Sequence, residues 1–388
     1  MTTRRTEGTR SRPRSVHKPA PSRSRGNGPF YLPLVGVVSA LVILGTLMVL
    51  SSSTVLAMTT YGSAWYFFLR QLVWTFFGVL AFWYASRFDY HRWSELVKPI
   101  MYATCAMLGL VLLPGVGIEA GGARRWLGFD LWRFQPSEIA KLALLLFIAD
   151  LLTRRADEVD DKQRVLYPIL IALAVVAGLV VLEPDLDSTV LIALVAGALM
   201  IAGGIRARHL IPLAALGTAV AAYLAISEPY RRARVMTLFD PPTDLANKGY
   251  QISQSLIALG SGGISGSGLG AGKSKWLFLP NAHTDFIFSV VGEELGFIGT
   301  FLVLTLFVAL AFIGVRTALN APDRFGMLLA TGVTVWVSAQ AAINIGGVIG
   351  ILPVSGITLP LISFGGSSLV FTLAAMGILA NVARQTQR

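Results

Sequence analysis

Asp285 is the acid of this chain whose position best suits a catalytic base. It lies where a polar external segment meets a long apolar run that opens with HTDFIF at residues 283–288. An ionisable side chain at the end of a membrane helix is costly to keep there, which makes it a candidate for function. Such a carboxylate could take a proton from a hydroxyl group. The alternative is a helix cap, because a negative charge stabilises the positive end of a helix by roughly 0.3–1 kcal/mol.

Glu138 and Lys141 open a second apolar run, after QPSE at residues 135–138. Residues three apart share one face of a helix. Inside apolar sequence, both should face the interior of a bundle and pair with each other or with another helix. Because Asp285 is predicted at the same outer level, a Lys141–Asp285 pair is an expected contact. A purely structural salt bridge is the alternative.

Glu293 and Glu294 lie deeper in the run that Asp285 opens. On a continuous helix, Glu293 would be about 12 Å along the axis from Asp285. Two adjacent acids cannot both face lipid cheaply. Buried hydrogen bonding or protonation is therefore expected, above all for Glu294.

The composition is that of a membrane protein. Of the 388 residues, 54% are hydrophobic and 14% are charged, and the mean hydropathy is +0.65. Soluble domains carry about 25% charged residues. The net charge of +11 does not indicate nucleic acid as a partner, because most bases lie in short segments between apolar runs. Cys105 is the single cysteine, which excludes an internal disulfide.

Apolar runs of about 20 residues predict an all-α polytopic membrane protein with about ten transmembrane helices. Residues 1–28 are rich in Arg, Ser, Pro and Gly and are predicted to be a disordered basic cytoplasmic tail. The transmembrane domain is predicted over residues 29–388. The spans are expected at about 31–53, 67–86, 97–114, 136–153, 165–182, 188–205, 209–227, 285–315, 325–350 and 368–384.

The distribution of basic residues orients the predicted bundle. With the N-terminus inside, about two-thirds of the 32 lysines and arginines lie on the cytoplasmic side, as the positive-inside rule requires. An even number of spans then also places the C-terminus in the cytoplasm.

The remaining bases lie outside, mostly at about 115–141 and 228–283. Clusters occur at Arg124-Arg125 and at Arg231-Arg232-Ala233-Arg234. An anionic group at the outer leaflet would compensate them, because Arg and Lys bind phosphate oxygens. Ordinary pairing with outer acids is the alternative.

The predicted extracytoplasmic loop at 228–283, between the seventh and eighth spans, is too long to be a simple connector. It holds an apolar stretch from Ile252 to Leu259, expected to be a short interfacial helix, and a glycine-rich run at 260–270. Backbone N–H groups of such a run could bind an anion, and a re-entrant linker explains the run equally well.

Other chemistries are not indicated. The four histidines, His17, His91, His209 and His283, make no metal-ligand spacing. No nucleophile elbow, Walker loop, or haem, flavin or nucleotide signature appears.

In combination the motifs resemble the SEDS family (shape, elongation, division and sporulation), which polymerises peptidoglycan outside the cell membrane. The resemblance covers about residues 31–385 and is closer to the division branch than to the elongation branch, since Gly292 and Thr358 are typical of the former. Two residues depart from the family pattern: Asn281 replaces a usual Glu, and Asp187 replaces a usual Gly. The matching segments are GARRWL 122–127, QPSE 135–138, EPDL 183–186, GYQ 249–251, HTDFIF 283–288, GEELG 292–296, the stretch 344–360 and SFGGSS 363–368.

The resemblance implies that the substrate is lipid II, a disaccharide-pentapeptide on undecaprenyl diphosphate. It makes Asp285 the base that deprotonates the 4-hydroxyl of the acceptor sugar. No metal ligand is predicted, although a divalent cation (Mg²⁺ or Mn²⁺) could share the neutralisation of the diphosphate. The other candidate site residues, from charge and from the motifs, are Arg124, Arg125, Trp126, Glu138, Lys141, Arg231, Arg232, Arg234, His283, Ser363 and Ser367.

The resemblance also implies partners and a location. The partners are a class B penicillin-binding protein, which supplies transpeptidation, and other divisome membrane proteins. The location is the cell membrane at the division septum. Three alternatives remain: an elongation enzyme of the same chemistry, a lipid II flippase, and a non-catalytic division scaffold.

Overall fold

The computed structural model describes residues 28–120, 123–129, 132–227, 232, 236, 249–276 and 278–386. Its described residues form a helical bundle with one small sheet. The helices are α1 (Tyr31–Tyr61), α2 (Tyr66–Arg87), α3 (Trp93–Leu112), α4 (Pro136–Arg154), α5 (Tyr167–Leu182), α6 (Leu186–Ala202), α7 (Ala207–Ser227), α8 (Gly249–Ser261), α9 (Ile287–Leu319), α10 (Arg324–Val348) and α11 (Gly366–Gln385). Short 3-10 helices at Tyr90–Arg92 and Ala156–Glu158 and a π-helical turn at Lys162–Leu166 lie between them.

The ten predicted spans correspond to α1–α7 and α9–α11, which confirms the all-α polytopic class. Eight helices are long and apolar enough to cross a membrane, the fifth together with the π-helical turn before it. The other two are α6, with 17 residues, and α4, which carries four ionisable residues: Glu138, Lys141, Asp150 and Arg154. α4 tolerates Glu138 and Lys141 because they are paired and buried in the bundle, whereas Asp150 and Arg154 pair at its other end.

Both ends of the described chain lie on one side of the bundle. The Gly28 N–H donates to the Arg384 carbonyl over 3.0 Å. On the same side, the Tyr90 N–H donates to Asn381 Oδ1 over 3.1 Å, and Asn381 Nδ2 donates to the Ser86 carbonyl. These contacts agree with an even number of spans. The predicted tail lies outside the described residues except for Gly28.

The core is formed around α4, α10 and α11, whose side chains are largely buried. Trp336 on α10 is its largest fully buried side chain. α11 packs along α2, and glycine permits the close approach: a Cβ on Gly377 would meet the Phe82 carbonyl oxygen at 2.6 Å. Large apolar side chains such as Phe76 and Trp83 point away from the bundle, as expected of helices in lipid.

α7 is the least attached of these helices. None of its residues is buried, and it packs chiefly against α6. Among the described residues, α7 is therefore held to the bundle mainly through α6.

The segment between α3 and α4 contains a small antiparallel sheet, which the sequence analysis did not predict. Its strands are β1 (Ile118–Ala120), β2 (Ala123–Phe129) and β3 (Trp132–Phe134), in the order β1-β2-β3. β2 carries the predicted cluster Arg124-Arg125. The sheet therefore fixes the orientation of these bases relative to α3 and α4.

The predicted external loop is described only in part, since 228–231, 233–235, 237–248 and 277 lie outside the described residues. The expected short helix is confirmed as α8. The glycine-rich loop, residues 262–276, then returns against α9 and leads to Asp285.

α9 is not one continuous helix. Gly296 has φ 67° and ψ −160°, which breaks the helix near its beginning. The helical distance expected between Asp285 and Glu293 therefore does not apply: Asp285 precedes the first helical residue, Ile287, and the helix is interrupted soon after Glu293 and Glu294.

Candidate functional site

Asp285 lies in a tight turn immediately before α9, and not on the helix as the sequence analysis expected. The Thr284 and Phe286 N–H groups both donate to the Asn281 carbonyl, over 3.1 and 3.3 Å. The α9 N-cap position is Phe286, which makes no side-chain capping bond. The turn leaves Asp285 partly exposed, at the surface where the loop enters the bundle.

Hydrogen bonds to the carbonyl groups of three consecutive residues, the last of them Asp285, hold the backbone in place. The Phe364 N–H donates to the His283 carbonyl over 3.0 Å. Ser363 Oγ donates to the Thr284 carbonyl over 2.6 Å, and Asn344 Nδ2 donates to the Asp285 carbonyl over 2.8 Å. The donors come from α10 and from the segment before α11, so two distant parts of the chain fix the position of Asp285.

Ser363 and Asn344 are themselves anchored. Ser363 Oγ accepts from the Leu359 N–H over 2.8 Å. Asn344 also donates to the Ile357 carbonyl over 2.8 Å. The side chain of Ser363, predicted as a substrate contact, is thus engaged in holding the turn.

His283 packs between two aromatic rings beside the turn. Its ring centroid is 4.7 Å from that of Phe67 on α2 and 5.6 Å from that of Phe364. Burial lowers the pKa of His283 to about 4, from an ordinary value of 6.5. His283 is therefore neutral at pH 7, and its packing against Phe67 brings the beginning of α2 next to Asp285.

Glu138 and Lys141 form the predicted pair. Lys141 Nζ lies 2.7 Å from Glu138 Oε2, and both residues are buried. Lys141 also donates to Gln340 Oε1 over 3.3 Å and lies 5.0 Å from the centre of the Trp336 ring. The predicted Lys141–Asp285 contact stays a prediction.

Gln340 links this ion pair to the turn at Asp285. Its Nε2 donates to the Thr358 carbonyl over 2.9 Å, while its Oε1 accepts from Lys141 and from Trp336 Nε1. Asn344, which holds Asp285, lies one helical turn further along α10. One face of α10 therefore contacts both the buried ion pair, through Gln340, and the turn of the candidate base, through Asn344.

Arg125, one of the predicted phosphate-binding bases, contacts the turn between α5 and α6. Arg125 Nε donates to the Glu183 carbonyl over 2.9 Å, and its guanidinium also contacts the Pro184 carbonyl. Asp185 caps α6 through the Ser188 N–H and accepts from Gln135 Nε2 over 2.9 Å. The strand and the turn thus form one unit.

Glu183 lies fully buried in this unit. Burial and the nearby Asp185 raise the pKa of Glu183 to about 8, against the opposing effect of Arg125. Glu183 is therefore largely protonated at pH 7. Gln135 connects the unit to α11, because its N–H donates to Ser367 Oγ over 3.2 Å.

The remaining predicted bases are placed unevenly. Arg124 is exposed and lies 3.8 Å from Glu119, in an outer groove of about 290 Å³ whose lining also includes Leu182 and Pro184. Arg232 is exposed, and Arg231 and Arg234 lie outside the described residues. Trp126 is half-buried on β2. Among the described residues, no three His, Cys, Asp or Glu side chains gather as a metal site.

The sequence matches the model of a known protein family. The model of the FtsW/RodA/SpoVE family, described as cell cycle proteins, matches residues 32–388. The chain belongs to this family. A probable peptidoglycan glycosyltransferase FtsW of Geobacter metallireducens is 42% identical over 343 residues, which cover 88% of this chain and 92% of the relative.

Solved structures of the FtsW/RodA/SpoVE family share the fold. One, reported for the coordination of polymerisation and crosslinking by a peptidoglycan synthase complex, has a TM-score of 0.74 and 31% identity, covering 90% of this chain and 96% of that one. The rod shape determining protein RodA of Thermus thermophilus has a TM-score of 0.68 and 30% identity, covering 92% and 97%.

The two departures from the FtsW/RodA/SpoVE pattern both have a local explanation. Asn281 has φ 57°, a left-handed conformation that Asn adopts more readily than Glu. Asp187 Oδ2 accepts from the Gly356 N–H over 3.0 Å, which ties the beginning of α6 to the segment before α11. Neither departure disturbs the turn at Asp285.

The site also contains residues that the sequence analysis did not select. Gln340 carries no charge and lies in an apolar helix, so nothing in its own sequence marks it. Asn344 begins one of the segments that match the family, but it was not selected as a site residue. Arg70 lies three residues after Phe67 on α2 and donates to the Tyr66 hydroxyl over 3.1 Å. The packing of Phe67 on His283, which brings this part of α2 to the site, is visible only in the folded chain.

Proposed function

We propose that this protein is a peptidoglycan glycosyltransferase that polymerises lipid II into β-1,4 glycan strands at the outer face of the cell membrane. The observation that carries the proposal is the turn at Asp285, where three bonded carbonyl groups hold a partly exposed acid at the end of a membrane helix. Relatives over nearly the whole chain bear the name of this activity. The geometry supplies what the chemistry needs, a fixed base at a position that a membrane-anchored sugar can reach.

Asp285 acts as the general base in this proposal. It takes the proton from the 4-hydroxyl of the acceptor sugar as that oxygen attacks the anomeric carbon of the donor. The bond from that carbon to the diphosphate breaks, and undecaprenyl diphosphate leaves with the bonding electrons. Attack opposite an α-linked leaving group yields a β-1,4 bond with inversion. Fixing the base in advance lowers the barrier because less orientational freedom is lost in the reaction.

The leaving diphosphate requires positive charge. Arg124 and Arg232 are exposed on the described surface and remain candidates, with Arg231 and Arg234. Arg125 is the weaker candidate, because its guanidinium already binds the turn at Glu183. A divalent cation such as Mg²⁺ or Mn²⁺ would supply additional charge neutralisation. Trp126, Ser367, and the Glu138–Lys141 pair remain proposed contributors to the substrate site.

The division role is the favoured biological setting. The Geobacter relative named FtsW is more similar in sequence (42% identity) than the Thermus relative named RodA (30%). We therefore propose action at the division septum, in complex with a class B penicillin-binding protein and other divisome membrane proteins. The family's structure from a peptidoglycan synthase complex supports a transpeptidase partner.

Glycan synthesis by purified protein tests the proposal. We expect Asp285→Asn to abolish polymer formation from lipid II while expression and thermal stability stay near wild type. Asp150→Asn is the control, since Asp150 contacts Arg154 at the far end of α4. Full polymerisation by Asp285→Asn would refute the role of the base.

The same assay separates the alternative functions. A flippase would move lipid II across vesicle membranes without forming polymer, and a scaffold would do neither. The features described here favour an enzyme, because they concentrate at the outer end of the bundle and not at mid-membrane, where transporters bind substrate.

A further inference from the structure

The break in α9 is filled by the glycine-rich loop, residues 262–276. A continuous helix would bond the Phe297 N–H to the Glu293 carbonyl and the Ile298 N–H to the Glu294 carbonyl. The Ser267 and Gly268 N–H groups donate to these two carbonyls instead, each over 3.0 Å. The loop therefore occupies the acceptor side of both missing helical bonds.

The donor side of the break is satisfied by the same loop. The Phe297 N–H donates to the Gly263 carbonyl over 2.9 Å, and the Ile298 N–H donates to the Ile264 carbonyl over 3.2 Å. Unpaired backbone groups are very costly at membrane depth. The loop and the break thus depend on each other, because each supplies the partners that the other lacks.

The backbones approach so closely that side chains are excluded. A Cβ on Gly262 would lie 1.9 Å from the Gly292 carbonyl oxygen, and one on Gly266 would lie 2.2 Å from the Glu294 carbonyl oxygen. This close contact explains why the run is rich in glycine. The sequence analysis left two interpretations of the run open, an anion site and a re-entrant linker. In the structure, the N–H groups of Ser267 and Gly268 bind carbonyl groups of α9.

The two acids next to the break reinforce the contact with their side chains. The Glu293 carboxylate accepts from the Lys273 N–H over 2.6 Å and from the Ser274 N–H over 3.1 Å. Glu294 lies 3.3 Å from Lys275 Nζ and accepts from Ser51 Oγ on α1. Glu293, Glu294 and Lys275 are all buried.

Two hydrogen-bonded turns lead from this anchor to the candidate base. Ser274, held by Glu293, accepts from the Leu279 N–H over 3.1 Å. Asn281, two residues later, accepts from the N–H groups of Thr284 and Phe286 on either side of Asp285. An anchor at 273–275 therefore limits where Asp285 can lie.

We propose that Glu293 and Glu294 are positioning residues that hold the loop segment 273–275 and thereby, together with the bonds from Asn344 and Ser363, set the location of Asp285. The inference rests on the proposed role of Asp285 as the base. It adds a structural role for Glu293 and Glu294, whose side chains hold the loop against α9. Neither acid needs to touch the substrate. Their removal should therefore lower the turnover number and leave the Michaelis constant for lipid II nearly unchanged.

The first test separates turnover from binding. In the purified chain with its transpeptidase partner, Glu293→Ala should lower kcat for lipid II polymerisation roughly 10- to 100-fold, because displacing a catalytic group by about 1 Å can cost about 100-fold. Glu293→Gln should be milder, since its amide oxygen still accepts from the loop. Glu95→Gln, an exposed acid on α3, is the control. An unchanged kcat in Glu293→Ala would overturn the proposal.

The second test uses the ion pair. Lys275→Met leaves Glu294 buried without its cation, and the double variant Lys275→Met/Glu294→Gln removes both charges. We expect both variants to lose most activity, because each lacks the ion pair that holds the segment 273–275. Near wild-type activity in the double variant would contradict an anchoring role for this pair.

The third test measures position without activity. Nitroxide labels at Phe278 and Met58, both exposed, report the distance between the loop and α1 in a Cys105→Ser background. Glu293→Ala should broaden or shift this distance distribution, and Asp285→Asn should not. An unchanged distribution in Glu293→Ala would refute the anchor even if Asp285 proves catalytic. If Asp285→Asn stays active while Glu293→Ala moves the loop, the proposed base fails and the anchor stands.

Discussion

The buried imidazole of His283 shows how the site responds to acid. Its pKa is lowered to about 4 by burial, whereas an unfolded histidine titrates near 6.5. Between these values the unfolded chain binds a proton that the folded chain does not. The contribution of His283 to stability therefore falls on acidification through this window, by about 1.4 kcal/mol for each pH unit below 6.5.

Glu183 acts in the opposite direction, because its raised pKa of about 8 makes acidification over the same range favour the folded state. We therefore expect His283→Gln to raise the unfolding temperature at pH 5, relative to pH 7, compared with the same difference in wild type. Differential scanning fluorimetry in detergent at both pH values measures it. His209→Gln is the control, because His209 is only half-buried whereas His283 is buried. Equal pH dependence in wild type and His283→Gln would contradict the burial argument.

The neighbouring residues Arg124 and Arg125 should behave differently on substitution. Arg125 bonds the turn between α5 and α6, so Arg125→Ala should lower thermal stability. Arg124 is exposed, so Arg124→Ala should leave stability unchanged. If Arg124 binds the diphosphate, the lipid II concentration for half-maximal rate should rise about tenfold or more, since a charge-assisted hydrogen bond contributes roughly 1.5–3 kcal/mol.

Arg124→Lys tests whether Arg124 contacts the diphosphate through two donors. Lysine should restore lipid II binding only in part, because it cannot contact phosphate with two parallel donors. An unchanged concentration dependence in Arg124→Ala would assign this residue to its surface contact with Glu119 alone.

At the scale of elements, Gly296 determines the shape of α9. Its φ of 67° disfavours any side chain, and a Cβ would lie 2.3 Å from the Gly266 nitrogen. We expect Gly296→Ala to destabilise the protein by at least about 1–3 kcal/mol, the typical cost of backbone strain, measured as a lower unfolding temperature.

Gly178→Ala on α5 is the matched control for Gly296→Ala. Its added methyl group meets no atom within 4 Å, and alanine favours a helix over glycine by roughly 0.5–1 kcal/mol. Gly178→Ala should therefore be neutral or slightly stabilising. Equal effects of the two substitutions would mean that the break in α9 is not maintained by Gly296.

The helices were predictable from sequence, and the contacts between them were not. Hydropathy alone indicates α1–α7 and α9–α11, because a membrane helix satisfies its own backbone within one segment. The break at Gly296 depends on partners about thirty residues earlier in the chain, which no local pattern reveals. The small sheet likewise requires three short strands that are individually weak signals.

The candidate site was predictable to a similar extent. Asp285, Glu138 and Lys141 stand out because charges in apolar sequence are rare. Gln340 does not stand out, and Asn344 stands out only as the beginning of a family segment, although the two residues connect the base to the ion pair. Asp285 was expected on the helix, and its place in the preceding turn follows from the bonds to Asn281, which only the folded chain displays.

At the scale of the whole molecule, the contact between Gly28 and Arg384 fixes both ends of the bundle on one side. We expect a fluorescent protein that matures only in the cytoplasm to be bright when fused at either end. Alkaline phosphatase, which is active only outside the cytoplasm, should be active when inserted at exposed Ser63, between α1 and α2, and inactive when fused at the C-terminus. The opposite pattern would reverse the predicted orientation.

The bonds that hold the turn at Asp285 also bear on the biosynthesis of the protein. Their donors are Asn344, Ser363 and Phe364, which leave the ribosome long after Asp285 itself. A partly synthesised chain already contains the acid but cannot yet hold it in place. Chains that terminate before about residue 344 should therefore be inactive in the membrane. Such chains would not consume lipid II where no complete enzyme is present.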